Sequence, residues 1–236
     1  MKINPDRLDK IRNLAARRQP DLTVVLENVN DPHNIGAVLR TCDSVGIKEI
    51  YVLYSDPDLA RHFMAVGKRT SAGSRKWVDV HLFTHAETCF ETVKQRYGHI
   101  WATHLAADSC SLYDLNLSES AALLFGNEQH GLSEMALSYS SGNFVIPQMG
   151  MAQSLNISVA CAVALYEAYR QREVKGYYDQ HPGMPEAARA ALLEDYLKRH
   201  AEQESMRILR HEEAAGDHFT ADRKSTRLNS SHANVS

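Results

Sequence analysis

In "NDPHNIGAVLRTCDSVG", residues 30–46, one long cation stands among small side chains. The spacing predicts a helix from Asn34 to Val45, started by Pro32 and Asn34 and stopped by Gly46. Ile35, Val38, Leu39, Cys42 and Val45 then share one apolar arc. Arg40 falls about 160° from the centre of that arc, beside Gly36, Ala37, Asp43 and Ser44. An ordinary solvated face is one reading, but such a face carries several Lys and Glu. Gly and Ala around a lone guanidinium suggest a surface that a ligand approaches closely.

Three more polar groups follow apolar runs. "ATHLAADSC" carries Thr103 and His104, and in "FGNEQHGLS" Gly126 and Gly131 bracket Asn127 and Glu128. "IPQMGMAQSLNISVA" is rich in amides, Met and Gly before a long apolar helix. Gly126 to Gly131 has the glycine spacing of a phosphate loop, but Leu132 stands where the lysine must be. No GxGxxG follows a strand and no GxSxG is present. The two glycines suit tight turns and close backbone approach to a ligand. Ser154 reads as the N-cap of the following helix, with Asn156 in its first turn.

The elements that must position these groups alternate. Strands are predicted over 22–28, 49–54, 77–83, 99–105, 121–126 and 143–147. Helices are predicted over 5–18, 34–45, near 57–66, over 85–97, near 132–139, over 154–172 and over 186–199. Crossovers of a dozen or more residues imply a parallel α/β sheet covered by helices on both faces, with flanking N- and C-terminal helices. Ligands of such sheets sit beyond the carboxyl ends of the strands, where the three polar groups fall.

The 236 residues suit one globular unit with appendages, and the net charge is −3. Residues 1–20 nevertheless hold Lys2, Arg7, Lys10, Arg12, Arg17 and Arg18 against Asp6 and Asp9. A second stretch has Arg61, Lys68, Arg69, Arg75 and Lys76 without an acid. Two basic patches can follow a phosphate backbone locally, or be ordinary surface charge. Cys42, Cys89, Cys110 and Cys161 are scattered, which implies reduced, mostly buried thiols and no metal site. No apolar run approaches a bilayer span and no secretory leader opens the chain, so a cytoplasmic protein is expected. "DRKSTRLNSSH" is what one reading frame of a common sequencing adapter encodes, so residues 222–236 read as a non-native tail.

Together, "NIGAVLRTCDSVG", "LFGNEQHGL" and "IPQMGMAQSLNISVA" resemble the three motifs of the SPOUT methyltransferases. Within that superfamily the chain is similar to the TrmH (SpoU) branch of tRNA ribose 2′-O-methyltransferases. The likeness runs from about residue 10 to 175. The opening "AARRQPDLTVVLENVNDPHN" resembles the members that act on guanosine 18 of tRNA.

The resemblance implies a C-terminal deep trefoil knot within residues 21–173, flanked by a tRNA-contacting helix (1–20) and a helical extension (174–221). It implies S-adenosylmethionine as cofactor, tRNA as substrate and a homodimer with its site near the subunit interface. By motif match Thr103, His104, Leu105, Gly126, Asn127, Gly131, Ile146, Pro147, Met149, Ser154 and Leu155 would line the cofactor site. Arg40 would be catalytic, either as a general base or as a cation on the developing alkoxide or adjacent phosphate. Asn34, Glu128, Ser154 and Asn156 would position Arg40 or the ribose, although Glu128 equally suits a structural ion pair. Arg12, Arg17, Arg18, Lys68, Arg69, Arg75 and Lys76 would meet tRNA phosphates, which positions the substrate without reading bases. Two alternatives stand beside this: a ribosomal RNA target, and an RNA-binding or assembly factor without chemistry. About 20 residues before the first strand leave no separate RNA-binding domain there, which favours tRNA.

Overall fold

The computed structural model describes residues 3–55, 59, 75–151, 154–179, 183–202 and 207–211. The helix expected near 57–66, Lys68, Arg69 and the 222–236 tail lie outside the described residues, apart from Leu59.

Strands β1 (Leu22–Glu27), β2 (Glu49–Leu53), β3 (Asp79–Phe83), β4 (His99–Thr103), β5 (Cys110–Ser111), β6 (Ala121–Phe125), β7 (Gly142–Val145) and β8 (Ile208–His211) form one sheet. Its order is β5-β7-β4-β6-β1-β2-β3-β8, and every pairing is parallel. The apolar runs predict central strands buried on both faces, and β1, β2, β3 and β6 are buried throughout. Alternation sends Val24, Leu26, Leu123 and Phe125 to one face, under α2 (Pro32–Ser44) and α5 (Ile157–Val174). Val25, Ala122 and Leu124 go to the other, under α3 (Ala86–Arg96) and α4 (Glu134–Ser138). Each large apolar side chain so buried stabilises the fold by roughly 1.5–3 kcal/mol. A third cluster joins α1 (Pro5–Ala16) to α6 (Glu186–Ala201) through Ile11, Ala15, Trp77, Leu192 and Tyr196.

The chain winds outward through β1, β2 and β3, then re-enters on the other side of β1 through β4 and β6. The carboxyl ends of β1, β6, β4 and β7 flank that reversal, where open sheets of this kind bind ligands.

Two helix starts differ from the sequence reading. Helix α2 begins at Pro32, because the Asp31 carboxylate accepts the His33 N–H at 2.8 Å and caps it before Asn34. Helix α5 begins at Ile157, not at 154. Asn156 is its cap, accepting the Ser158 N–H at 2.9 Å, while Ser154 stays outside the helix and exposed. Strand β8 was not expected.

Arg18 is a correction. It does not face a tRNA phosphate; its side chain is fully buried. Packing of α1 on α6 turns it inward, where its guanidinium donates to Tyr196 Oη (2.9 Å), Ile47 O (2.8 Å), Trp77 O (2.7 Å) and Asp43 Oδ1 (2.8 Å). Arg12 and Arg17 stay exposed, paired with Asp9 (3.2 Å) and Asp179 (2.9 Å). Arg75 opens a short 3-10 turn, and the Lys76 ammonium lies 4.6 Å from the centre of the Trp77 ring. Burial first and the Arg7 charge second lower the Lys76 pKa.

Candidate active site at the carboxyl ends of the strands

Neighbouring strands β7, β4, β6 and β1 deliver the loops 146–156, 104–109, 126–133 and 28–31 to one edge of the sheet. Side-chain amides tie three of the motifs together there. Asn156 Nδ2 donates to Asn34 Oδ1 at 3.2 Å, and Asn34 Nδ2 donates to Glu128 Oε1 at 2.7 Å. These partners are 122 and 94 residues apart in the chain. Asn34 reaches both because the Asp31 cap starts α2 early enough to present it from the first turn.

The 126–133 loop owes its shape to both glycines. A Cβ on Gly126 would lie 2.4 Å from the Gly131 backbone, and Gly131 has φ +70°. Asn127 N donates to Gly131 O (2.9 Å) and Gly131 N to Asn127 O (2.8 Å), closing the loop on itself. The Asn127 side chain is spent inside this region. Its Oδ1 accepts the Gln129 and His130 N–H groups, and its Nδ2 donates to Asn28 O at 2.7 Å. Glu128 is exposed at the loop tip. Burial first, and the Glu128 charge second, hold the Tyr54 phenol pKa well above its ordinary value.

Thr103 ends β4 with its hydroxyl on Leu124 O (3.1 Å), and His104 accepts the Ser109 hydroxyl through its carbonyl (2.7 Å). Leu105 is 83% exposed and Met149 96% exposed. Ile146 is half-buried against the core, while Pro147, Ser154 and Leu155 are exposed. Arg40 is exposed on α2. It lies six residues past Asn34, about 9 Å along the helix axis. Among the described residues it makes no side-chain hydrogen bond or ion pair, so it stands outside the Asn156–Asn34–Glu128 chain. Asp31 and Asn28 were missed. Asn28, the non-glycine residue at positive φ (52°), shapes the turn after β1 and exchanges two hydrogen bonds with Ser55. A polar pair ending an apolar strand was the available signal.

The loop chemistry fits a ligand held largely by backbone. No backbone–backbone hydrogen bond joins 147–151 or 154–155 to another described residue, and these residues are exposed. Among the described residues their carbonyls, and the amides of all but Pro147, are thus available to a partner. Beside them Leu105, Met149 and Met151 offer apolar surface of the kind that lines small-molecule sites. An adenosyl group with an amino-acid tail suits both.

A parallel sheet with a ligand site at its reversal point describes many proteins, so the comparisons narrow it. The family model described as SpoU rRNA methylase matches residues 21–166. Over 190 residues the chain is 40% identical to the tRNA (guanosine(18)-2′-O)-methyltransferase of Thermus thermophilus, which covers 80% of this chain and 95% of that one. The solved TrmH/SpoU tRNA modifying enzyme of A. aeolicus matches with a TM-score of 0.70 at 34% identity, covering 83% of this chain and 96% of that one. The SpoU methyltransferase AviRb of Streptomyces viridochromogenes, solved with the cofactor AdoMet, matches with a TM-score of 0.55 at 25% identity, covering 72% and 65%. The chain belongs to the SpoU methylase family.

Proposed function

We propose that the protein methylates the ribose 2′-hydroxyl of guanosine 18 in tRNA, using S-adenosylmethionine. The observation that carries this is the side-chain chain Asn156–Asn34–Glu128, with Arg40 exposed further along the same helix as Asn34 and unpaired among the described residues, in a protein similar to a guanosine-18 enzyme over 95% of that enzyme's length. S-adenosylmethionine, when bound, supplies a methyl group already activated on sulfonium. The loops 103–105, 126–131, 146–149 and 154–155 would hold it, mainly through backbone groups.

Alignment is then the main task of the protein. Asn34 and Asn156 fix one another and Glu128, so that the three loops keep one spacing. The Arg40 guanidinium is a permanent cation. With no carboxylate among the described residues committed to it, it can grip the phosphate beside the target ribose and stabilise the 2′-oxygen as its proton leaves. The stabilising role suits an exposed Arg better than that of a base. Ser154 lies at the mouth of the 146–156 loop, where it would meet ribose or cofactor.

Residues 21–173 form the methyltransferase domain in this reading, with a C-terminal deep trefoil knot. Residues 1–20 and 174–221 flank it. Arg12, Arg17, Lys68, Arg69, Arg75 and Lys76 meet tRNA phosphates, without Arg18. Two copies pair through α5, where Val159 (47%) and Tyr166 (52%) are exposed. The cytoplasm is the expected compartment, since tRNA is there; no described helix is long and apolar enough to cross a membrane.

The test is to incubate the full chain with radiolabelled S-adenosylmethionine and a tRNA transcript, beside one with guanosine 18 replaced. Labelling only of the first is expected. Equal labelling of both moves the target nucleotide, and labelling of neither overturns the enzymatic reading.

A further inference from the structure

One buried acid at the site edge is unused by the chemistry above. Glu27 is the last residue of β1 and is 1% exposed. A carboxylate in such a place is costly unless its oxygens are met. Both are met by one residue: Oε1 accepts the Ser133 hydroxyl at 2.6 Å and Oε2 accepts the Ser133 N–H at 2.9 Å. Ser133 in turn caps α4, its Oγ accepting the Ala136 N–H at 3.1 Å. The next residue, Asn28, accepts the Asn127 amide on its carbonyl at 2.7 Å. Glu27 and Asn28 therefore grip the 126–133 loop near both ends. Between those grips stands Glu128, the acceptor of the Asn34 amide.

We infer that Glu27 is a positioning residue for methyl transfer: it fixes the 126–133 loop on the end of β1, and so sets where Glu128 and the loop backbone stand for cofactor and ribose. This rests on the methyltransferase reading. A charged acceptor makes shorter and stronger bonds than a neutral one, and a carboxylate takes both Ser133 donors at once. A glutamine of the same size offers its one oxygen to the Ser133 N–H and must reverse the second bond, its N–H₂ donating to the Ser133 hydroxyl with one N–H left over. The loop then keeps only a weaker, neutral second foot while the core keeps its volume.

The experiment compares Glu27→Gln, Ser133→Ala and the double variant with the wild type, measuring affinity for S-adenosylmethionine and for tRNA by calorimetry, and kcat. By analogy with outer-shell partners of other sites, each single change weakens cofactor binding or kcat by roughly 10- to 100-fold. Binding of tRNA stays within about twofold, and the double variant is no worse than the worse single one, because both remove the same contact. Unchanged cofactor affinity and kcat overturn the inference. So does a parallel loss of both ligands, which marks general loosening, or full additivity. A wild type that binds S-adenosylmethionine but methylates no tRNA refutes the functional reading alone, and the clamp is then judged on binding. A wild type that binds no S-adenosylmethionine refutes both.

Discussion

The amino ends of the strands and the outer face of α2 use arginine in opposite ways. At the amino ends of the strands Arg18 and Arg172 are fully buried with their donors met by backbone carbonyls and one acid each. Arg172 donates to Leu117 O (3.0 Å), Gln19 Oε1 (3.1 Å), Asp21 Oδ1 (2.6 Å) and Glu119 O (2.8 Å), joining the end of α5 to the starts of β1 and β6. Arg199 ties β3 to α6 by pairing with two acids, Asp79 (2.8 Å) and Asp195 (2.6 Å), although its buried Nε has no hydrogen-bond partner among the described residues. On α2, about 9 Å along the helix axis from Asn34, Arg40 is by contrast exposed and unpaired among the described residues. A guanidinium whose donors are all satisfied holds chain segments together and has none left for a ligand. One left free on an exposed helix face can take an anion. Exposure and donor count separate the two uses, and local basicity does not.

Removing a buried cation should show the largest effect. Arg18→Met leaves Asp43, Tyr196 and two carbonyls facing an apolar chain, so unfolding free energy should fall by about 3–5 kcal/mol. Denaturant titration reads this. A stable variant with weakened tRNA binding would return Arg18 to the RNA surface. Arg40→Ala tests the exposed use: methyl transfer should fall roughly 10²- to 10³-fold, about 2.7–4 kcal/mol of transition-state stabilisation. Its melting midpoint should match the wild type, since no described contact is lost. A drop in melting temperature with intact turnover would invert the comparison.

The smallest effect concerns the sheet edge. His211 on β8 stacks on Phe83 and lies 3.0 Å from the His81 ring nitrogen, with His81 3.4 Å from Glu49 and Arg96 bonded to Glu49 as well. Burial, then the charges of His81 and Arg96, lower the His211 pKa. The folded state therefore prefers the neutral ring. The resulting stability is complete above the unfolded value of about 6.5 and is lost as pH falls through it toward the folded value. Between about pH 7.5 and 5, the amides of 208–211 should lose protection from hydrogen exchange before those of β1. The Glu49 carboxyl, raised by burial but pulled below its usual range more strongly by His81, Lys48 and Arg96, holds its own contribution over that window. His211→Phe should flatten the dependence; protection that is already flat in the wild type removes the explanation.

Much of this was legible in the chain. Apolar arcs placed most helices and continuous apolar runs placed the central strands, because a helix buries one stripe while a strand covered on both faces has no polar side to alternate. Arg40 was legible as the residue opposite an apolar arc. The glycines of the 126–131 loop were legible as turn residues, though the contact that demands Gly126, the Gly131 backbone 2.4 Å from its Cβ position, was not. Ser154 was taken for a cap that Asn156 supplies, since the two residues differ by half a turn and either side chain can accept an amide.

Residue type and period, by themselves, determined the parallel α/β architecture and the motif residues at the strand ends. They could not tell Arg18 from Arg17, because both follow α1, where no helical period assigns a face. Only the docking of α1 on α6 and α2 decided which guanidinium turned inward. Tertiary structure likewise decided that Asn34, Glu128 and Asn156 meet, since hydrogen bonds across 94 and 122 residues depend on strand order, which local sequence does not encode.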